Sequence, residues 1–213
     1  MEFLPSLNVL LAFTATALVL IVTPGPDMTL FISQTLTAGR ARGFAAMLGA
    51  FSGVLVHTLL ASFGLSALLA ASATAFTVVK WIGAAYLVFL AIDAIRNGSA
   101  LSVRSEAAPP RPLVQVYFMA VGVNLLNPKV VMFFVTFLPQ FVSVADPHAG
   151  AKMLFLGLYF DLLGLPVSAL IVLGAEKFTA TIRRSPRTMR IIDWSFAGLM
   201  SAFAARLLFT RGS

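Results

Sequence analysis

The sequence predicts an all-α polytopic membrane protein with about six transmembrane helices, and three observations predict it. Of 213 residues, 59% are apolar and only 11% are charged, against roughly 25% charged in an ordinary soluble domain. Fifteen Lys and Arg against eight Asp and Glu leave a net charge of +7, too few charges to cover a water-facing surface. No Lys, Arg, Asp or Glu interrupts residues 3–26, 43–79, 112–128 or 130–145, and apolar runs of about 18 residues or more read as membrane spans. This excludes a soluble enzyme, a disordered chain and, despite the basic balance, a nucleic-acid binder. With no Cys, disulfides, Cys-ligated zinc, iron–sulfur clusters and thiol redox chemistry are excluded too. Neither a cofactor nor a bound metal is expected.

The segments follow in order. Segment 1 covers about 6–36, segment 2 43–69, segment 3 75–96, segment 4 113–142, segment 5 151–174 and segment 6 190–209. The start, Met1-Glu2-Phe3-Leu4-Pro5, lacks the basic region of a cleavable signal, so segment 1 reads as a retained span. The whole of 1–213 is expected to be a single transmembrane domain. At about 1.5 Å per residue, roughly 20 residues cross the hydrocarbon core. Segments 1 and 4 exceed one straight crossing, and both carry breakers near the middle.

Ten of the fifteen basic residues fall in the loops at 37–43, 96–112 and 176–190. Positive charge stays on the cytoplasmic side, so these loops are expected to face the cytoplasm, with both termini outside.

Two halves of three spans each would have opposite topology, and the sequence carries echoes of such inverted repeats, at about 1–98 and 112–213. Segment 1 breaks at Thr23-Pro24-Gly25-Pro26-Asp27 and segment 4 at Asn127-Pro128-Lys129; Leu48-Gly49 answers Leu156-Gly157, and Trp81 answers Trp194. Proline lacks an N–H and frees backbone carbonyls. Inside a bilayer such groups must face protein or a water-filled cavity. Paired breaks in corresponding helices therefore point to the central site of a transporter.

Each break carries a charge, and an ionisable group at membrane depth is functional by default. Asp27 can bind a cationic group or a proton, or cap the helix restarting at Met28. Lys129 can hold a carboxylate, neutralise Asp27, or snorkel to an interface. Asn127 offers donors and acceptors and can cap the second half-helix. Asp161, in Tyr159-Phe160-Asp161-Leu162-Leu163, either pairs with Lys129 or binds an amine or proton. His57, near the middle of segment 2, is a proton relay or a hydrogen-bonded packing residue. The stripe of Ala45, Gly49 and Gly53 lets helices approach closely, within the chain or in a homo-oligomer.

The chain resembles the lysine-exporter (LysE/RhtB) family, in particular its homoserine/threonine-resistance branch. The resemblance rests on Thr23-Pro24-Gly25-Pro26-Asp27, Gly49…Gly53…His57 with Phe63-Gly64-Leu65, Lys80-Trp81-Ile82-Gly83-Ala84-Ala85-Tyr86-Leu87, and Asn127-Pro128-Lys129…Phe133-Phe134. After Leu87 the run Val88-Phe89-Leu90-Ala91 has Ala where such proteins often have Gly. The resemblance implies an inner-membrane exporter of amino acids or their derivatives, driven by protons and not an enzyme. Asp27 would then meet the substrate ammonium, and Lys129 or half-helix N–H groups its carboxylate. A divalent metal-cation exporter is the alternative, although such sites want several carboxylates or histidines. An intramembrane enzyme or a non-transporting assembly factor fits less well.

Overall fold

The computed structural model describes residues 4–65, 73–97, 111–143 and 146–209. Among them every regular element is helical. Segment 1 is two helices, α1 (Leu7–Val22) and α2 (Pro26–Ala38), bent by 49° at the break. Next come α3 (Arg40–Leu59), which runs on through a wide π-helical turn over Leu60–Leu65, and α4 (Ala73–Asn97). Segment 4 is again two pieces, α5 (Leu113–Leu125) and α6 (Pro128–Met132), the latter prolonged by a π turn over Phe133–Phe137 and a 3-10 turn over Leu138–Phe141. This second bend is 50°. The chain closes with α7 (Ala149–Leu173), α8 (Ala175–Arg184) and α9 (Pro186–Phe209).

Two stretches, Arg40–Gly64 and Ala149–Leu173, are each long and apolar enough to cross a membrane, and the two bent pairs qualify jointly. Helices α4 and α9 hold 25 and 24 residues, more than the roughly 20 that one crossing needs. The expected loop over 98–110 and the end of segment 2 after residue 65 lie outside the described residues. Within the expected basic loop 176–190 the chain instead forms α8, with Ala175 and Thr179 buried and Glu176 and Lys177 exposed.

Between hydrocarbon-embedded helices the driving force is close packing, and the small residues provide it. Helix α3 lies between α5 and α7. A Cβ on Gly49 would stand 2.2 Å from the Tyr117 carbonyl oxygen, and one on Gly157 2.4 Å from Thr58 Cγ2. The glycine stripe of α3 therefore serves contacts within the chain. The turn into α3 needs Gly39, whose φ of 90° is strained for residues with a Cβ. Just beyond it Arg42 donates through Nε to the Arg111 carbonyl at 2.7 Å and through Nη1 to that of Ala38 at 3.0 Å. The first basic turn and the start of α5 thus meet at one end of the molecule.

The buried apolar side chains form two clusters. One is built on aromatic rings, Phe13, Phe133, Phe134, Phe137, Phe160 and Phe203. Phe137 and Phe203 meet edge to face with centroids 4.1 Å apart. The other gathers Met28, Phe31, Ile32, Met47, Val116 and Val172. Both helix breaks fall at the seam between these clusters.

Candidate functional site

The break in α1–α2 follows from its prolines. In a continuous helix the Leu20 carbonyl would accept from the N–H of residue 24, but residue 24 is Pro and has none. Thr23 turns back on α1, its backbone N–H donating to the Val19 carbonyl at 3.1 Å and its Oγ1 to the same oxygen at 2.6 Å. Gly25 takes the N-cap position of α2 and Pro26 its first turn, where a missing N–H costs nothing. This puts Asp27 in the first helical turn, next to the positive end of the helix.

The second break mirrors the first. Asn127 caps α6, its Oδ1 accepting the backbone N–H of Lys129 at 3.1 Å, with Pro128 at the first helical position. Its other amide atom faces the opposite way: Asn127 Nδ2 donates to Asp27 Oδ2 at 2.9 Å. Asn124 Nδ2 donates to the same oxygen at 2.8 Å. Asp27 Oδ1 is buried without a hydrogen-bond partner, and so is Asn124 Oδ1.

Lys129 does not bond to Asp27. Its Nζ donates to the carbonyl of Leu20 at 2.9 Å and to that of Thr23 at 2.6 Å. It also stands 5.8 Å over the Phe196 ring of α9, within the range of a cation–π contact. Gly25 lies beneath it, since a Cβ there would be 3.5 Å from Lys129 Cδ and Nζ. The lysine of the second break thus serves the carbonyls exposed by the first.

These groups surround a cavity of about 80 Å³ at the seam. Its polar lining is Thr23, Asp27, Asn124, Asn127, Lys129 and Ser168, and its apolar wall includes Phe31, Phe51, Val54 and Phe160. The structure therefore gathers Asp27, Asn127, Lys129 and Gly25 into one place. His57 stands one step back. Its Nε2 lies 3.4 Å from the Asn124 carbonyl oxygen, and its ring stacks on Phe134 at 5.6 Å. Asp161 is separate. It is buried on the α7 face between Gly157 and Gly164, which α3 covers, and it does not line the cavity. Its Oδ1 has no hydrogen-bond partner, and neither of the Lys129 bonds reaches it.

Asn124 is the residue that sequence reasoning missed. It sits directly on Gly53, where a Cβ would come within 2.4 Å of Asn124 Oδ1, and it is 1% exposed. One signal was present: a second amide side chain, one helical turn before Asn127, in a run without charge.

A helical membrane protein with two broken helices closing on a carboxylate and an ammonium has the architecture of a translocator. This chain belongs to the LysE type translocator family, whose model matches residues 18–211. It is 34% identical over 188 residues to an uncharacterized membrane protein of Vibrio cholerae, covering 87% of this chain and 88% of that one. The Bacillus subtilis uncharacterized membrane protein YrhP is 34% identical over 143 residues, 63% and 68% of the two chains. A homoserine/homoserine lactone efflux protein of Salmonella typhimurium is 28% identical over 200 residues, 94% of this chain and 96% of the relative. No solved structure matches the chain.

Proposed function

We propose that this protein exports amino acids or amino-acid derivatives from the cytoplasm across the inner membrane by proton antiport and alternating access. One observation carries the reading. The two helix breaks close on a single cavity, and the carboxylate there, Asp27, is not bonded to the nearby lysine. A substrate ammonium entering this cavity takes Asp27 as its partner, which offsets its desolvation. The first-turn N–H groups of α2 favour the substrate carboxylate, as does Lys129 once it leaves the α1 carbonyls. The name of the Salmonella relative, a homoserine/homoserine lactone efflux protein, supports this substrate class.

The paired bends of 49° and 50° support two half-repeats at about 1–98 and 112–213, which rock against each other around the cavity. The bond of Arg42 to residue 111 supports placing those two basic turns on one side, which we assign to the cytoplasm by their charge.

The test is efflux. Cells are loaded with amino-acid pools from dipeptides, and export is followed with and without the protein and with Asp27→Asn. Export of one amino acid or derivative, lost in the variant, is expected. Export at the normal rate and with normal pH dependence in Asp27→Asn overturns the role of the carboxylate; no export of any amine overturns the reading.

A further inference from the structure

Asp27 and Asn124 share one hydrogen bond and leave one orphan oxygen each. Asn124 Nδ2 donates to Asp27 Oδ2 at 2.8 Å, while Asp27 Oδ1 and Asn124 Oδ1 are both buried with no donor. A buried acceptor without a donor is costly, and two in contacting side chains call for one explanation. Exchanging the amide atoms of Asn124 does not help, because its oxygen would then face Asp27 Oδ2 with no proton between them. The second bond to Oδ2, from Asn127 at 2.9 Å, holds Asn127 in register because its Oδ1 is occupied by the Lys129 N–H.

We propose that Asp27 and Asn124 form a carboxylic acid–amide pair, in which a proton on Asp27 Oδ1 donates to Asn124 Oδ1, and that this pair is the proton-binding site of the exporter. The valences close under this assignment. Oδ2 is then the carbonyl oxygen of a neutral acid, accepting two N–H bonds with its two lone pairs. Oδ1 becomes a donor, and the amide oxygen gains the bond it lacks. A single proton meets both orphans. Both oxygens are covered by protein atoms in this conformation, so each takes its partner from the side chain beside it.

The surrounding charges fit. Lys129 of α6 is bonded to the Leu20 and Thr23 carbonyls, and His57 of α3 meets the backbone oxygen of Asn124. No other titratable side chain lines the cavity among the described residues, and Asp161 of α7 lies outside it. Asn124 is thus a positioning residue for the proton. Its place is fixed by Gly53 beneath it, where a Cβ would come within 2.8 Å of Asn124 Cγ.

The coupling role rests on the exporter reading above; the acid–amide pair itself does not. One carboxyl group serves either the proton or the substrate ammonium, so the two ligands exclude each other at this site.

The experiment is infrared difference spectroscopy of the full chain in lipid, titrated with pH, for the wild type, Asp27→Asn, Asn124→Leu and Asp161→Asn. A protonated-carboxyl carbonyl band that disappears in Asp27→Asn, survives in Asp161→Asn and moves to higher frequency in Asn124→Leu is expected. Asn124→Ser, smaller and still polar, gives the same shift should the leucine variant fail to fold. If Asp27→Asn removes only an ionised carboxylate band, or the band stays unmoved in both Asn124 variants, the pair is overturned. Efflux on the same variants separates the two ideas. A shifting band without export of any amine overturns the exporter reading and the coupling role, leaving the pair. Export with an ionised Asp27 throughout overturns the pair and leaves the exporter reading.

Discussion

Lys129 donates to the Leu20 carbonyl at 2.9 Å, the oxygen whose helical donor is missing because residue 24 is a proline. The side chain of one broken helix thereby replaces a backbone N–H of the other. Lys129→Met removes this bond and the one to Thr23. Hydrogen bonds to a charged group are worth about 1.5–3 kcal/mol each, so the variant is expected to unfold at a clearly lower temperature in detergent. An unchanged melting temperature would mean that the lysine contributes nothing to holding the break.

Gly53→Ala is expected to be among the most damaging of the small substitutions. The new methyl would come within 2.4 Å of Asn124 Oδ1, and overpacking a fitted contact costs roughly 1–3 kcal/mol. Asn124 must move, and with it the bond to Asp27, so efflux should fall together with stability. Gly122→Ala is the comparison. Nothing lies within 4 Å of its Cβ position, and a helical Gly→Ala change gains about 0.5–1 kcal/mol. Thermal melts and efflux of the two variants side by side check the contrast.

Asn127→Asp separates the two duties of that side chain. The aspartate oxygen keeps the cap on Lys129 N, but the N–H that bonds Asp27 Oδ2 at 2.9 Å is replaced by a carboxylate oxygen. Two carboxyl groups sharing such a site do not both ionise readily. Efflux is expected to shift its pH dependence while the fold persists, as read by circular dichroism. An unaltered pH profile would show that Asn127 acts only as a cap.

Asp146 lies in the turn before α7, where its carboxylate bonds to Lys152 Nζ and accepts the His148 backbone N–H at 2.8 Å. Lys152 first, then that N–H, hold its carboxyl below the usual carboxylate range. The folded state thus binds this proton less readily than the unfolded chain. The resulting stabilisation is present above the unfolded value of about 3.9 and disappears as pH falls through the lower folded value. Asp146→Asn should therefore lower the melting temperature slightly at pH 7 in low salt, with the difference closing in strong acid. A difference that persists in acid would point to the turn geometry instead of the charge.

The breaks were legible in the sequence because proline's missing N–H is a local fact, and both bends fall where Pro24, Pro26 and Pro128 stand. The small-residue stripe on α3 was legible as a packing face, but its partner was not. For Gly49 that partner is the Tyr117 carbonyl on α5, a backbone atom that leaves no mark in sequence. The same holds for Lys129, whose acceptors are carbonyls 109 and 106 residues away. Helix α8 is not legible because a run rich in basic residues has the composition of a cytoplasmic loop. Basic residues do not prevent a helix whose apolar side is covered, as Ala175 and Thr179 are. Asn124 escaped because an uncharged amide within an apolar run becomes conspicuous only beside a carboxylate.

The donor for the Leu20 carbonyl lies 109 residues downstream. At a synthesis rate of about 5–20 residues per second, the first broken helix waits roughly 5–20 seconds on the ribosome before that donor is made. During this interval its exposed carbonyls need water or another temporary donor, which the hydrocarbon interior does not supply. The amino-terminal half is therefore expected to finish its insertion only when the second half arrives, so that biogenesis of the protein ends with the closing of its central site.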